Sequence, residues 1–265
     1  MTDNDRHRVE RAFRDHPPGP WPFLVAGDPD ADATVELLRR FAALPVRGVE
    51  IGFPYSDSIA DGPVIQAAFT RSLAAGLRVD HVFEIVRRAR ASVSYPILGM
   101  VSASIVYRIG PEALIDRAGE AGFDGLIVPD LSLEEAPELS RLAASAGLCL
   151  PMLVAPTTPA SRQTAIAAAA RGFLYYVAVK GTTGERRALP PDLAERVKRV
   201  RSASRLPVLV GFGISEPVHV REVCTFADGA IVGSALVRRI TESAGADRAR
   251  MVEDAVEFVA ELCGD

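Results

Sequence analysis

The chain has 265 residues, 48% of them hydrophobic, and a formal net charge of −4. Acids and bases are interspersed, which excludes the basic footprint of a nucleic-acid binder, and no apolar run approaches the ~18 residues of a membrane span. Cys149, Cys224 and Cys263 are scattered without a C-x-x-C pair, which argues against structural disulfides or a thiolate zinc site, for a reducing cytoplasm, and for Cys149 as an apolar filler.

The opening stretch "MTDNDRHRVERAFRDH" is charged, has no apolar signal segment, and reads as a short amphipathic cap. Short β-branched runs then recur: "PFLVAG" near 22, "GVEIG" near 48, "PILGMV" near 96 and "DGLIVPD" near 124. "CLPMLV" near 149, "FLYYVAV" near 173, "PVLVGFG" near 207 and "GAIVGSAL" near 229 complete the series. Between them lie segments of helical period, such as "DATVELLRRFAAL", with Val35, Leu37, Leu38 and Phe41 on one side, and "DHVFEIVRRARA", with Val82, Phe83, Val86 and Ala89. Helix entries are signalled at Asp80, Pro111, Pro159 and Ser215-Glu216-Pro217. Strands alternating with helices imply parallel pairing through right-handed crossovers. Eight such units in this length predict an α/β fold, a single (β/α)8 TIM barrel over residues 1–265, rather than an open doubly wound sheet. An extra N-terminal helix and an extra C-terminal helix at residues 247–262 complete the expected architecture.

One strand carries an acid: "VEIGFPYSDSIADGP" begins at Val49. Strand alternation sends Val49 and Ile51 toward the outer helices and Glu50 into the barrel, near the C-terminal end where barrel active sites lie. A charge buried there is costly, and desolvation suits a carboxyl to proton transfer near neutrality; an internal ion pair is the alternative. Asp61 lies on the long following loop, where lids and specificity reside, or else caps the helix that begins at Pro63. Asp57 reads as a turn former.

Three late loops are rich in glycine and hydroxyls: "KGTTGE" from residue 180, "GFGIS" from 211 and "VGSAL" from 232, the last two opening into helices. Glycine permits close backbone approach, and a helix N-terminus favours an anion, so these loops predict a phosphate grip. None of His7, His16, His81 and His219 is placed for catalysis, and no acid–histidine cluster suggests a metal. Carboxylate acid–base work on a phosphorylated small molecule follows.

The stretches "VEIGFPYSDSIADGPVIQ", "GFDGLIVPDLSLEEA", "GFLYYVAVKGTTGERRALP", "LPVLVGFGISEP" and "ADGAIVGSALV" resemble the tryptophan synthase α-subunit family, from about residue 20 to the C-terminal region. The resemblance implies a lyase of tryptophan biosynthesis that cleaves indole-3-glycerol phosphate to indole and glyceraldehyde 3-phosphate. It implies no cofactor on this chain, and a pyridoxal-phosphate β subunit in an α2β2 assembly that receives the indole. Glu50 matches the family's general acid/base, and Asp61 the carboxylate that holds the indole N–H. Tyr175, Thr183 and Phe212 match substrate contacts; Gly184, Gly213, Gly233 and Ser234 match phosphate contacts. The chain departs from the family at Ser58, where proline is usual, at Ser102, Ser104 and Ile105 in place of a "Y-x-N-P" pattern, and at Ala178 and Lys180. These changes lead to an expectation of weakened β-subunit docking. A lyase uncoupled from a β subunit, a sugar-phosphate isomerase on the same barrel, and a non-catalytic partner of a β subunit are the competing readings.

Overall fold

The computed structural model describes residues 8–58, 61–178, 188–243, 245 and 247–264. In chain order come α1 (Arg8–Arg14), β1 (Gly19–Val25), α2 (Ala31–Phe41), β2 (Val49–Gly52), α3 (Pro63–Ala74) and α4 (Val79–Arg90). Next are β3 (Ile97–Met100), α5 (Ala103–Ile109), α6 (Pro111–Ala121), β4 (Gly125–Ile127), α7 (Ala136–Ser145), β5 (Met152–Val154) and α8 (Ala160–Ala169). The remainder holds β6 (Leu174–Val177), α9 (Leu193–Ser202), β7 (Val208–Gly211), α10 (Pro217–Val223), β8 (Gly229–Val232), α11 (Ser234–Ser243) and α12 (Arg248–Cys263). Each expected strand forms, and both terminal helices are present. No helix among the described residues is long and apolar enough to cross a membrane.

The eight strands are parallel in the order β4-β3-β2-β1-β8-β7-β6-β5. The β4–β5 seam is closed just before β5 begins: Gly125 bridges Cys149, with Leu126 N donating to Cys149 O at 3.0 Å and Cys149 N to Asp124 O at 2.9 Å. Alternation sorts the side chains into two layers. Val49 and Ile51 pack outward with Leu38 and Phe41 of α2 and Val82 and Val86 of α4. Trp21, Leu98, Ile127, Tyr175, Leu209 and Ile231 form the inner packing. Helix entries follow local chemistry. Asp30 caps α2 by accepting from Ala33 N at 2.8 Å, and Pro63, Pro111 and Pro217 stand at helix starts where a missing N–H costs nothing. At α4 the sequence signal differs from the outcome. Arg78 takes the cap position, its N–H donating to His81 Nδ1 at 3.1 Å, while Asp80 pairs across to Arg117 of α6.

The floor is closed by the chain's own first helix. Phe13 stacks on Trp21 at 5.6 Å between ring centroids and meets Phe173 edge-on at 5.8 Å. Beside it, Asp124 accepts from Arg8 at 2.9 Å, from Arg90 at 2.8 Å and from Ile97 N at 2.8 Å. This buried carboxylate ties α1, α4 and β3 to the entry of β4. Removing one partner of such a group strands the others in the interior. Asp124→Ala is expected to cost roughly 3 kcal/mol or more, read as a lowered urea midpoint, with little change in affinity for a phosphate ligand bound at the opposite end.

Candidate active site

Glu50 is fully buried, with Phe23 and Leu98 as its register neighbours on β1 and β3. Among the described residues neither carboxyl oxygen has a hydrogen-bond partner. Burial alone therefore pushes its pKa up to about 8, because an apolar setting penalises the charged form. Among the described residues Glu50 forms no internal ion pair. Tyr175, inward on β6, lies close enough to both acids for their charges to add to the effect of burial, which raises its phenol far above the ordinary value. Its ring meets Phe212 edge-on at 6.1 Å. Gly211 leaves room for that ring: a Cβ there would sit 2.3 Å from the Tyr175 hydroxyl oxygen.

Asp61 is not the cap of α3. Gly62 occupies the cap position with no side-chain cap bond. The Asp61 carboxylate instead accepts from the Ser58 hydroxyl. Its backbone is held twice, Asp61 N donating to Ser58 O at 3.3 Å and Gln66 Nε2 donating to Asp61 O at 2.9 Å. Burial raises its pKa, and the Ser58 hydrogen bond works against that rise. Asp57 stays exposed, beside Ser56 at 3.4 Å, and does not line the cavity.

Across the barrel mouth, the β7–α10 loop turns through Phe212 at φ 73° and Gly213 at φ 86°. The left-handed region suits Gly213 but costs a phenylalanine about 1–3 kcal/mol, a strain characteristic of functional loops. Gly233 ends β8, and Ser234 opens α11, whose first N–H groups have no partner within the helix. One cavity joins these parts: Glu50, Asp61, Tyr175, Phe212, Gly213, Gly233 and Ser234 all line it. Thr183, Gly184 and Lys180 lie outside the described residues. Sequence reasoning missed the apolar wall, made by Phe23, Ile65, Met100, Ile214 and Ile231. Strand parity could have found Phe23, Met100 and Ile231, since each shares the inward phase of its strand. Among the described residues no group of three or more histidine, cysteine or acidic side chains is placed to hold a metal ion.

Comparison with known proteins agrees with this geometry. Residues 19–263 match the family model described as tryptophan synthase alpha chain. The chain belongs to that family. It is 44% identical over 248 residues to the tryptophan synthase alpha chain of Rhodopirellula baltica, covering 91% of this chain and 89% of the relative. To that of Prochlorococcus marinus it is 47% identical over 224 residues, 84% and 82% of the two chains. Its fold is similar to a chain of the tryptophan synthase α2β2 complex of Pyrococcus furiosus, with a TM-score of 0.86 and 35% identity over 93% of this chain and 98% of that one. A structure from Aquifex aeolicus gives 0.85 and 33%, covering 98% of both chains.

Four departures from the family pattern are buried. Ser58 is buried against Asp61. Ser102 is buried as the cap of α5, accepting from Ser104 N at 3.2 Å with its hydroxyl 2.5 Å from that of Ser104. Ile105 packs into the core, and Ala178 is buried with its N–H on Gly211 O at 2.9 Å. Ser104 remains exposed at the start of α5.

The raised Glu50 carboxyl also has a thermodynamic signature. From its ordinary 4.5 up to about 8, the folded chain keeps a proton that the unfolded chain has released. Stability contributed by the neutral carboxyl is full below this window and is lost as pH rises through it. Glu50→Gln is expected to abolish that slope, so that the variant's stability relative to the parent improves across the window by roughly 5 kcal/mol. Urea unfolding as a function of pH checks this.

Proposed function

We propose that this chain is a carbon–carbon lyase of tryptophan biosynthesis that cleaves indole-3-glycerol phosphate to indole and glyceraldehyde 3-phosphate. In this reading Glu50 carries the proton and Asp61 holds the ring nitrogen. The observation that carries it is the single cavity with two carboxyls at one end, two helix-entry loops at the other, and apolar walls between them. The walls suit an indole, the loops an anion, and the two carboxyls have unlike settings.

Glu50 begins neutral, since burial holds its proton to about pH 8. It gives that proton to indole C3, and Asp61 balances the positive charge that develops at the ring nitrogen. The Glu50 carboxylate then takes the proton of the hydroxyl on the carbon bonded to the ring. As the C–C bond breaks, the O–H electron pair becomes the aldehyde C=O and the broken bond's pair restores the aromatic ring. Glu50 ends protonated, as it began. Tyr175, kept a neutral phenol by burial, is assigned with Phe212 and Thr183 to the substrate body. Gly184, Gly213, Gly233 and Ser234 are assigned to the phosphate.

The Pyrococcus furiosus relative is part of an α2β2 complex, and the proposal extends to an equivalent β subunit docking at the barrel mouth of this one-domain chain. A cytoplasmic setting belongs to the same reading, because all three cysteines are free thiols.

Glu50→Gln is expected to lower indole release by roughly 10²–10⁴-fold, and Asp61→Asn by roughly 10²–10³-fold, in a single-turnover assay with indole-3-glycerol phosphate. In the parent enzyme kcat/KM should decline on the alkaline side with an apparent pKa near 8, as Glu50 loses the proton it must donate. Turnover of Glu50→Gln within about tenfold of the parent would overturn the assignment.

Ser234→Asp sets a carboxylate at the entry of α11, where the proposed phosphate binds. Affinity for glycerol 3-phosphate should fall by at least about tenfold by calorimetry, while the unfolding midpoint stays close to that of the parent.

A further inference from the structure

A carboxylate that balances charge on a substrate ring has to be ionised, yet Asp61 is largely buried beside an apolar wall, and burial works against ionisation. Something must hold it in its charged form and fix its direction. The β2–α3 loop supplies both. Ser58 Oγ donates to Asp61 Oδ2, a charge-assisted bond of the stronger kind. Ser58 is itself immobilised: it is 4% exposed, and its carbonyl accepts from Gln66 Nε2 at 2.7 Å and from Asp61 N at 3.3 Å. The same Gln66 amide nitrogen also donates to Asp61 O at 2.9 Å. Gln66 belongs to the first turn of α3, its N–H on Gly62 O at 3.0 Å. One side chain on a rigid helix therefore pins both ends of the turn and sets the separation between the Ser58 hydroxyl and the Asp61 carboxylate.

We infer that Ser58 is a positioning residue for the reaction: its hydroxyl, held by the Gln66 clamp, keeps Asp61 ionised and oriented toward the ring nitrogen of the substrate. The inference rests on the role proposed above for Asp61. A proline at this position has no donor to offer, so the serine adds a function to the loop that the usual family residue lacks. The titratable groups facing Asp61 are Tyr55 on its own loop, Glu50 on β2 and Tyr175 on β6, with Asp130 beyond Tyr55. Both phenols are raised above their ordinary values, and Glu50 holds its proton to about pH 8. These three keep their protons at acidic pH; Tyr55 also hydrogen-bonds Ser58, so the Asp61→Asn control is what separates Asp61 from Tyr55 and Asp130.

The test compares the parent, Ser58→Ala, Ser58→Thr and Asp61→Asn. Two readouts are used: the pH profile of kcat/KM for indole release, and the Asp61 carboxyl titration followed by ¹³C NMR, with Asp61→Asn identifying the resonance. In Ser58→Ala the acidic limb and the NMR titration should both move up by about one pH unit, and kcat/KM below the limb should fall about tenfold. Ser58→Thr, which keeps the hydroxyl, should restore both, and glycerol 3-phosphate affinity should be unchanged throughout. If Asp61→Asn is crippled but Ser58→Ala leaves the limb and the NMR titration in place, the Ser58 role is overturned and that of Asp61 stands. A fall in unfolding midpoint without movement of either titration likewise reduces Ser58 to a structural residue and overturns the inference. Near-parental turnover of Asp61→Asn overturns the Asp61 reading itself, and the Ser58 role with it.

Discussion

Glu50 sits between Phe23 and Leu98 in the sheet register, with no partner for either oxygen among the described residues. An ionised carboxylate in that position is expensive, so the resting group is neutral and its proton is available near physiological pH. Much of the surrounding architecture serves that condition. Strand alternation turns the acid inward, the inner layer of Trp21, Leu98, Ile127 and Leu209 keeps water from beneath it, and the Tyr175 ring closes one side. Gly211 is part of the same device, because a side chain there would displace Tyr175. The raised carboxyl of Glu50 thus comes from withheld partners, whereas Asp61 receives a hydroxyl donor and a pinned backbone. Burial raises both acids, but only Asp61 has a hydroxyl donor beside it that works against the rise.

The far side of the cavity is built on a different principle. Phe212 is held in a left-handed conformation that a phenylalanine resists, followed by Gly213 in the same region. The strained turn swings the Phe212 ring against Tyr175 and carries Gly213 into the cavity wall. Ser234 meets it from the next strand, at the head of a ten-residue helix. Strand register sets the spacing of the two ends.

The barrel was legible because its signals are periodic: apolar runs at regular spacing, helices with one buried stripe, and prolines at helix entries. Glu50 stood out because an acid breaks an otherwise apolar strand, and parity alone sent it inward. Asp61 was visible as a residue but not as a role. A cap and a substrate carboxylate look alike in "ADGP", and only the position of Gly62 at the head of α3 separates them. Asp80 misled for a similar reason: a good capping residue was drawn instead to Arg117 on a neighbouring helix. The Ser58–Asp61 bond and the Gln66 clamp depend on the path of a loop, which local sequence does not encode in any periodic form. The floor network of Arg8, Arg90 and Asp124 joins residues more than a hundred positions apart in the chain, a separation beyond any motif.

The plug at the floor, with Phe13 laid on Trp21 and Phe173 behind it, also governs traffic. Below Glu50 the barrel is filled by side chains and sealed by α1, so the reaction chamber is a cul-de-sac. In the proposed reading, substrate and products share the open end of the barrel as a doorway. In the proposed reading, an aldehyde phosphate at the late loops and an indole against the apolar wall both lie at that one end of the barrel. Any body seated on the doorway becomes the gatekeeper of both, and the order in which the fragments exit is decided at that threshold.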